Sequence, residues 1–533
     1  MSRIRASVDT RSSINLMGAS RRHAVTAAET RSGSALLRDA DAERARHGAA
    51  PHPTHGLAIG DVRPGRAVIW SRASETSRLL VEHALEPSFR EAVTVRGPRA
   101  VAATDYTARV ELRGLPADRE VFVRVSFAAG ERRGGAVTGR FRTAPATRRD
   151  VRFLWSGDTA GQGFGINPEF GGMRMYETMR RTNPDFFIHS GDTVYADGPI
   201  LPVQIAEDGR EWRNVVTPEV AKVAETLAEF RGRFRYNLLD ENVRRFNAEV
   251  PQIWQWDDHE VVNNWSPAKD LSADDRYTEK DVRVLVERAR RAFLEYAPLH
   301  RPGGGAPDRI YRRIPYGPLL EVFVLDMRSY RGPNSYNRQE RQGPDTAFLG
   351  ATQLRWLEHA LARSRALWKV IAADMPLGLV IGDGEDEQGR PRFEGIANGD
   401  GPPLGRELEL AELLSFIKAR RIANVVWLTA DVHYCAAHRY DPARAQFKDF
   451  EPFWEFVAGP LNAGSFGPNL PDDTFGLDVV FQRVPPGQNY SPFAGYQFFG
   501  QVDIDGRTGT MTVHLKDLEG ATLFTQTLEP RVS

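Results

Sequence analysis

Four short apolar segments of the chain each end in aspartate, and this repeated pattern constrains the fold more than any other feature. The segments are VRFLWSGD, PDFFIHSGD, VPQIWQWDDHE and ANVVWLTADVH, with aspartates at Asp158, Asp192, Asp258 and Asp431. Such fully apolar runs suit central strands of an α/β sheet, which places its chemistry at the carboxyl ends of the strands. We therefore expect the four aspartates to meet at one edge of a sheet.

Histidines accompany two of these aspartates and extend the pattern to a metal site. His259 directly follows Asp258, and His433 lies two residues after Asp431. Carboxylate oxygens and imidazole nitrogens are ligands of hard and borderline metal ions. Two ions held about 3.5–4 Å apart can activate a water molecule and bind both oxygens of an in-line phosphoryl displacement. The pattern predicts a dinuclear metal centre that hydrolyses phosphate esters.

Asp192 is the natural bridging ligand of this centre because it follows the strand interpreted as central. Tyr195, three residues later, is placed to add a phenolate ligand. Both have ordinary alternatives, since an aspartate after glycine often makes a turn and a tyrosine often only packs. The other predicted ligands form two sets, Asp158 with His433 for one ion and Asp258 with Asp431 for the second.

Two further residues are candidates for catalytic contacts with the phosphate group. His259 is placed to protonate the leaving oxygen or to stabilise the transferring phosphoryl group. Arg328 lies at the end of the strand in LDMRSYR together with Arg331, and an arginine fork there could bind phosphate. A structural salt bridge is the alternative for this pair.

Several nearby polar residues have structural interpretations that compete with a direct role. Asp257 and Glu260 fit a supporting or solvated position better than metal binding. Asn263 and Asn264 could bind a hard cation or cap the next segment. His189 is expected in the core and His438 at the surface. Cys435 is expected to be a small buried side chain.

Composition excludes several classes of function. Lys and Arg together number 70 and balance 70 Asp and Glu, so no nucleic-acid surface is indicated. A single cysteine excludes an internal disulfide framework and a thiolate zinc cluster. No run reaches the roughly 20 apolar residues of a membrane helix. The Ser20-Arg21-Arg22 segment is similar to a twin-arginine export signal, but no apolar region follows it, so we expect a flexible polar leader over residues 1–52.

The patterning of the remaining chain predicts two domains. Short alternating segments over residues 53–145 predict an N-terminal β-sandwich of immunoglobulin or fibronectin type III character, followed by a linker at 144–149. From about 150 to 533, apolar strands alternate with helical segments, which predicts an α/β domain with parallel pairing. Helices are expected over 171–182, 217–234, 279–297, 351–364 and 408–421, and a β-meander over 496–529.

Taken together, these motifs resemble the PhoD-like alkaline phosphatases of the calcineurin-type metallophosphoesterase superfamily. The matching stretches include SGDTVYADG, WDDHEVVNNW, LDMRSYRG and LTADVHY, and GDVRPGRAVIWSR resembles the start of the family's N-terminal β-domain. The resemblance implies a four-layer αββα domain, hydrolysis of phosphate mono- or diesters, and a site built on iron with calcium. It also implies a further metal ligand at Asp374. The first strand of the family commonly ends in a cysteine ligand, whereas this chain has Asp158 there, so manganese and zinc also fit.

Two alternative functions remain open at this point. A phosphodiesterase of phospholipase D type would use the same centre on a diester, and the loops over the site would decide between them. A non-catalytic phosphate-binding protein would use the β-sandwich as its working part. The expected partner is a small-molecule or lipid phosphate ester. The family is commonly exported by the twin-arginine route, so the compartment stays open, as does the oligomeric state.

Overall fold

The computed structural model describes residues 50–301 and 308–531 of the chain. These residues form 27 β-strands and six α-helices, which are numbered here in chain order. The leader expected over residues 1–52 lies almost entirely outside the described residues, as does the Ser20-Arg21-Arg22 segment. Among the described helices, none is long and apolar enough to cross a membrane.

The strands and helices have the following bounds. The helices are α1 (Arg174–Arg181), α2 (Leu227–Asn237), α3 (Glu241–Glu249), α4 (Val282–Tyr296), α5 (Gly350–Arg363) and α6 (Glu407–Ala419). The strands of the N-terminal region are β1 (Pro53–Arg63), β2 (Arg66–Ala73), β3 (Ser77–Ala84), β4 (Val93–Ala100), β5 (Thr107–Arg113), β6 (Glu120–Ala129), β7 (Arg132–Arg133) and β8 (Val137–Arg142). The later strands are β9 (Val151–Ser156), β10 (Phe186–Ser190), β11 (Val203–Ile205), β12 (Glu211–Arg213), β13 (Gln252–Gln255), β14 (Arg312–Pro315), β15 (Leu320–Val324), β16 (Trp368–Ala372), β17 (Leu379–Val380), β18 (Gly382–Glu385), β19 (Pro391–Phe393), β20 (Val425–Thr429), β21 (Cys435–Tyr440), β22 (Phe453–Val457), β23 (Leu470–Pro471), β24 (Leu477–Arg483), β25 (Phe498–Ile504), β26 (Met511–Asp517) and β27 (Thr522–Leu528).

Two large sheets form the centre of the molecule. Sheet I has nine strands in the order β27-β26-β25-β9-β10-β13-β1-β2-β5, and sheet II has seven in the order β14-β15-β16-β20-β22-β21-β24. Strands β9, β10 and β13 pair in parallel in sheet I, as do β15, β16, β20 and β22 in sheet II. The predicted parallel pairing is therefore confirmed, and so is the predicted meander, because β25, β26 and β27 pair antiparallel.

The two sheets pack face to face, and α-helices cover their outer faces. In β10, Phe186 belongs to the core between the sheets, whereas its neighbour Phe187 packs with the helices outside sheet I. In β20, Leu428 and Trp427 divide in the same way between the central core and the helices outside sheet II. Because both faces of these strands are buried, their sequences are apolar throughout rather than alternating. The layers follow the expected αββα order.

The N-terminal strands form a sandwich that shares one sheet with the α/β region. Sheet III runs β4-β3-β6-β7 with β8 paired to β6, and its Val81 and Val125 join the same core as Ile59 of β1. Strands β1, β2 and β5 belong to sheet I, because β1 pairs in parallel with β13. The strands expected for residues 53–145 are thus present. One of their two sheets is sheet I, which also contains strands that follow the expected linker.

The expected helix over residues 217–234 is wrong in its first half. Helix α2 begins at Leu227, where the Thr226 hydroxyl accepts the Glu229 N–H at 3.3 Å and the Glu229 carboxylate accepts the Thr226 N–H at 2.8 Å. This capping box sets the helix start inside a pattern that is periodic throughout. The other four expected helices are present within a few residues of their expected bounds. The structure also contains α3, which was not expected.

Candidate metal centre

The aspartates predicted as ligands lie where the carboxyl ends of two sheets meet. Asp158, Asp192 and Asp258 follow β9, β10 and β13, which are adjacent parallel strands of sheet I. Asp431 and His433 follow β20 of sheet II. The expectation of a single sheet edge is therefore wrong, because the face-to-face packing brings a second set of strand ends to the first.

The backbone at these residues has a conformation that most side chains avoid. The φ angles of Asp158, Asp192, Asp431 and His433 are 62°, 50°, 67° and 59°. Asp and His tolerate this left-handed region better than branched or bulky residues. Such residues cluster at functional sites, where the surrounding structure supports the strain. The backbone thus marks the strand-end residues of the sequence pattern other than Asp258 and His259.

Two glycines allow the loops of the site to approach each other. Gly191 has a φ of 102°, and a Cβ on it would lie 2.4 Å from the Cβ of Asp257. A Cβ on Gly459 would lie 2.3 Å from Oδ2 of Asp158. Because a side chain at either position would displace an aspartate, both positions require glycine.

Three groups of metal-ligating side chains overlap at this place. In each group the ligand atoms lie within 4.8 Å of one another. The first and second groups share Asp192, and the second and third share Asp258, so the groups form a continuous chain. The first ligand group is Asp158, Asp192 and His433, the second is Asp192, Asp258 and His259, and the third is Asp257, Asp258 and Asp431. We refer to Asp158, Asp192, Asp258, Asp431 and His433 together as the ligand cluster.

Carboxylates of the ligand cluster are buried without enough partners. Oδ2 of Asp158 and Oδ1 of Asp258 have no hydrogen-bond partner in the protein. Burial raises the pKa of Asp158, Asp192 and Asp431 well above the ordinary value, and neighbouring carboxylates raise it further. Buried anions with unpaired oxygens are unfavourable until a cation approaches them. The donor set therefore fits metal ions.

His433 has the geometry and protonation state of a metal ligand. Its Nδ1 hydrogen-bonds to the carbonyl oxygen of Gly464, which directs Nε2 towards the ligand cluster. Nε2 lies 3.5 Å from Oδ1 of Asp158 and 2.8 Å from the Tyr195 hydroxyl. Burial lowers the pKa of His433 to about 4, so its imidazole is neutral near pH 7, as metal binding requires. Tyr195 lies beside the ligand cluster, and its metal binding stays a prediction.

His259 pairs with Asp197, a residue that the predicted site lacks. Nδ1 of His259 lies 2.7 Å from Oδ1 of Asp197, whose Oδ2 accepts the Asn263 N–H at 2.9 Å. Burial lowers the pKa of His259, but the charges of Asp197 and Asp258 outweigh it and raise the pKa well above the ordinary value. The imidazole can therefore hold a proton at Nε2. The sequence offers one signal for Asp197, which is its position five residues after Asp192.

Arg328 lies among carboxylates. Its Nε is 2.6 Å from Oδ1 of Asp257 and 3.4 Å from Oδ2 of Asp374, and its Nη1 donates to Glu394. This arrangement favours the salt-bridge alternative, and phosphate binding by Arg328 stays a prediction. Asp374 is buried and belongs to none of the three ligand groups, so its metal binding also stays a prediction. Glu394, which lines the cleft, follows the short strand β19 and carries no strand-end pattern in the sequence.

The residues beside the ligands mostly support the loops that carry them. The Asn264 N–H donates to Oδ2 of Asp258, and its side-chain amide donates to the β18–β19 hairpin. Glu260 accepts the Thr193 N–H at 2.7 Å and the Asp257 N–H at 2.8 Å. Metal binding by Asn263 or Asn264 stays a prediction. Both oxygens of Glu260 accept hydrogen bonds from the protein, which is the supporting position expected for it.

The expected surface position of His438 is wrong. His438 lies in β21, between β22 and β24 of sheet II, and its Nδ1 is 2.8 Å from Oε2 of Glu455. Both faces of this strand are covered, which buries the ring. His189 and Cys435 are buried as expected, and burial raises the pKa of the Cys435 thiol.

A cleft of about 270 Å³ opens over the ligand cluster. Amide side chains line it beyond the acids, among them Gln162, Asn263 and Asn469, together with the ring of Phe466. A larger cleft of about 390 Å³ lies at the amino ends of β16 and β20, lined by residues such as Trp454. No member of the ligand cluster is among the described residues that line this second cleft.

Comparisons with known proteins agree with this arrangement. A family model described as PhoD-like phosphatase matches residues 153–515, and a model of the N-terminal domain of PhoD-like phosphatases matches residues 39–145. The chain is 28% identical over 472 residues to alkaline phosphatase D of Bacillus subtilis (strain 168), covering 83% of this chain and 74% of that protein.

Two solved structures share the fold. One of PhoD has a TM-score of 0.66 at 21% identity and covers 90% of this chain and 89% of its own. Purple acid phosphatase PPD1 from yellow lupin (Lupinus luteus) seeds has a TM-score of 0.52 at 11% identity, covering 90% of this chain and 74% of that chain. These likenesses confirm the αββα layer order.

Proposed function

The chain belongs to the PhoD-like phosphatase family, and from this premise we propose that its ligand cluster holds two or more metal ions for the hydrolysis of phosphate esters. Family membership makes the chain a phosphoric ester hydrolase with phosphatase activity. The number of ions, their identity and the choice of ester belong to the proposal. The observation that carries it is the overlap of three ligand groups through shared aspartates.

The chemistry of the donors supports metal binding. Asp158 and His433 would hold one ion, and Asp258 and Asp431 a second, with Asp192 between them. Oδ2 of Asp158 and Oδ1 of Asp258 support this assignment, since they have no hydrogen-bond partner in the protein. Iron and calcium are the ions that the family resemblance suggests, and manganese and zinc also fit carboxylate and imidazole donors. Bound metal ions supply Lewis-acid activation of water and neutralise charge on phosphate.

His259 would serve the leaving group. Asp197 engages Nδ1 of the imidazole at 2.7 Å, so Nε2 is the nitrogen that faces the reaction. The tyrosine ring of Tyr195 lies 4.3 Å from the imidazole, centroid to centroid, and restrains its tilt. A proton held at Nε2 would pass to the oxygen of the departing alcohol, which makes the alcohol a better leaving group.

The proposed substrate is a phosphate ester of a small molecule or a lipid. The cleft carries no arginine or lysine among the described residues that line it, so metal ions and His259 would balance the phosphate charge. Amides such as Gln162 and Asn469 offer donors and acceptors to the rest of the ester. A phosphodiester, including one of phospholipase D type, would meet the same centre, and rates on both ester classes decide between them. The alternative of a non-catalytic binding protein has no support in the family comparisons.

The proposal is tested by metal analysis and two assays on one preparation. We expect at least two metal ions per chain and hydrolysis of a chromogenic phosphomonoester or phosphodiester, with the faster rate naming the preferred class. Asp192→Asn, which keeps the shape of the side chain and removes its charge, should lose both metal and activity. A wild type that binds no metal and gains no activity with iron, manganese, zinc or calcium would overturn the proposal.

A further inference from the structure

Arg328 is a fully buried cation beside the ligand cluster, with 0% of its side chain exposed. Oδ1 of Asp326 accepts the N–H groups of Arg328 at 3.2 Å and Ser329 at 2.9 Å, and the indole N–H of Trp256 at 2.9 Å. These bonds fix the turn that follows β15. The guanidinium therefore has a defined position before any ligand binds.

Two carboxylates take up one side of the guanidinium. Its Nε lies 2.6 Å from Oδ1 of Asp257, and its Nη1 donates to Oε1 of Glu394. Asp374 lies beside this pair, with Oδ2 3.4 Å from Nε. Arginine stays charged at every physiological pH, and its planar fork matches carboxylates well. The chain thus supplies a permanent cation to these acids.

The other side of the guanidinium faces the ligand cluster. Nη2 has no hydrogen-bond partner and lies 3.7 Å from Oδ1 of Asp431 and 4.0 Å from Oδ1 of Asp258. Together with the contact to Asp257, Arg328 approaches every member of the third ligand group. A metal ion at that group would meet a buried like charge at short range, where repulsion is strong.

On the basis of the proposed metal-dependent function, we propose that Arg328 is a positioning residue that takes the place of a metal ion at the third ligand group. The two proposed ions then lie outside this group, one at Asp158 and His433 and the other beside Asp192 at Asp258 and Asp431. The guanidinium holds Asp258 and Asp431 towards it in the absence of metal and keeps Asp257 from becoming a ligand. Unlike a metal ion, it does not exchange and no chelator removes it. This role differs from the predicted phosphate fork, because the donors of Arg328 are directed at carboxylates.

Replacing Arg328 by methionine distinguishes a residue that takes the place of a metal ion from one that binds phosphate. Met keeps much of the side-chain volume and removes the charge, so Arg328→Met should bind an additional divalent ion per chain when titrated with Mn²⁺ and measured by elemental analysis. Inhibition by inorganic phosphate should change little. Unchanged metal content overturns the proposal. Phosphate inhibition that weakens roughly tenfold or more without a gain of metal also overturns it, because a loss of that size indicates that Arg328 contacts phosphate with its charge.

Arg331 provides a matched control on the same loop. It is also a buried arginine, but its Nη2 bonds to the Glu394 carbonyl and the Asn334 side chain rather than to the third ligand group. Arg331→Met should therefore gain no ion. A gain equal to that of Arg328→Met would attribute the effect to general loss of positive charge and overturn the specific role.

A second variant decides the question if Arg328→Met fails to fold. Glu394→Gln should keep the wild-type metal content, because Glu394 binds Arg328 and no ion. Loss of an ion from this variant overturns the arginine role. Asp192→Asn, measured in parallel, distinguishes the two proposals: full metal content there would overturn the metal centre, whereas metal loss in both variants would overturn the role of Arg328 alone. Circular dichroism checks that each variant is folded.

Discussion

The chain brings carboxylates together in two places, and their surroundings differ. The ligand cluster is almost completely buried at the strand ends of sheets I and II. The second acidic cluster, which consists of Asp400, Asp472 and Asp473, lies nearer the surface on the loops after β19 and β23. Each contains side chains whose ligand atoms lie within 4.8 Å of one another. Proximity of carboxylates alone therefore does not identify a metal site.

The ligand cluster and the second acidic cluster differ in the hydrogen-bond partners of their carboxylates. Asp472, the buried member of the second acidic cluster, accepts the Thr474 N–H at 2.7 Å and the Gly399 N–H at 2.8 Å, so both oxygens are engaged. Next to it, burial and the charge of Asp472 raise the pKa of Glu407 to about 9, so the Glu407 carboxyl holds a proton near pH 7. In the ligand cluster, by contrast, buried oxygens lack partners. Backbone amides engage the buried carboxylate of the second acidic cluster, whereas the unpaired oxygens of the ligand cluster are left for the cations that we propose.

The largest expected effect is on activity and compares one aspartate from each cluster. Asp431→Asn should lower kcat/KM by roughly 1,000-fold, about 4 kcal/mol in the activation barrier, because it removes a charged donor from the metal centre. Asp473→Asn makes the same chemical change in the second acidic cluster and should leave kcat/KM within about twofold. Kinetics on a chromogenic ester with metal analysis of both variants measure the difference. Equal losses in the two variants would contradict the distinction between the clusters.

A smaller effect is expected on stability when metal is removed. Metal ions that bind the native ligand cluster stabilise it by about 2.7 kcal/mol at a free concentration 100 times Kd, so a chelator should lower the melting temperature. Asp472→Asn should show the same chelator-dependent decrease as the wild type, because its cluster holds no required ion. Differential scanning calorimetry with and without chelator provides the measurement. If the decrease disappears in Asp472→Asn, the stabilising ion belongs to the second acidic cluster.

Strand ends were readable from the sequence because burial on both faces leaves a short apolar run that stops at a polar residue. This signal located Asp158, Asp192 and Asp431, which the structure brings together. Nothing local states which sheet a strand joins, so the contribution of sheet II to the site was not predictable. The continuation of sheet I into the N-terminal strands has the same cause, since the pairing of β1 with β13 connects distant parts of the chain.

Charge partners were harder to predict than ligands. Asp197 and Glu394 act through contacts that depend on tertiary packing, with His259 in one case and Arg328 in the other. Neither follows a long apolar run. The sequence of LDMRSYR fits a phosphate fork and a buried ion pair equally well, and only the positions of the surrounding carboxylates separate these interpretations.

The smallest expected effect tests the proton on Glu407, beside the second acidic cluster. The pKa of Glu407 is raised from 4.5 to about 9 by burial and by Asp472, so between these pH values the folded chain holds a proton that the unfolded chain releases. Its contribution to stability therefore falls as the pH rises from about 4.5 to about 9. Glu407→Gln has no proton to lose, and its amide can donate to Asp472 while its oxygen accepts the Leu404 N–H. The melting temperature should rise by about 1 °C at pH 9, which corresponds to about 1 kcal/mol in a chain of this length, and change little at pH 5.

The matched control for this change is Glu412, which is exposed on the same helix α6. Glu412→Gln should leave the pH dependence of the melting temperature as in the wild type, because this side chain is exposed and lies away from Asp472. A Glu407→Gln curve that runs parallel to the wild-type curve from pH 5 to 9 would show that Glu407 holds no such proton. The contrast between the two clusters would then rest on the backbone amides that engage Asp472 and on solvent exposure.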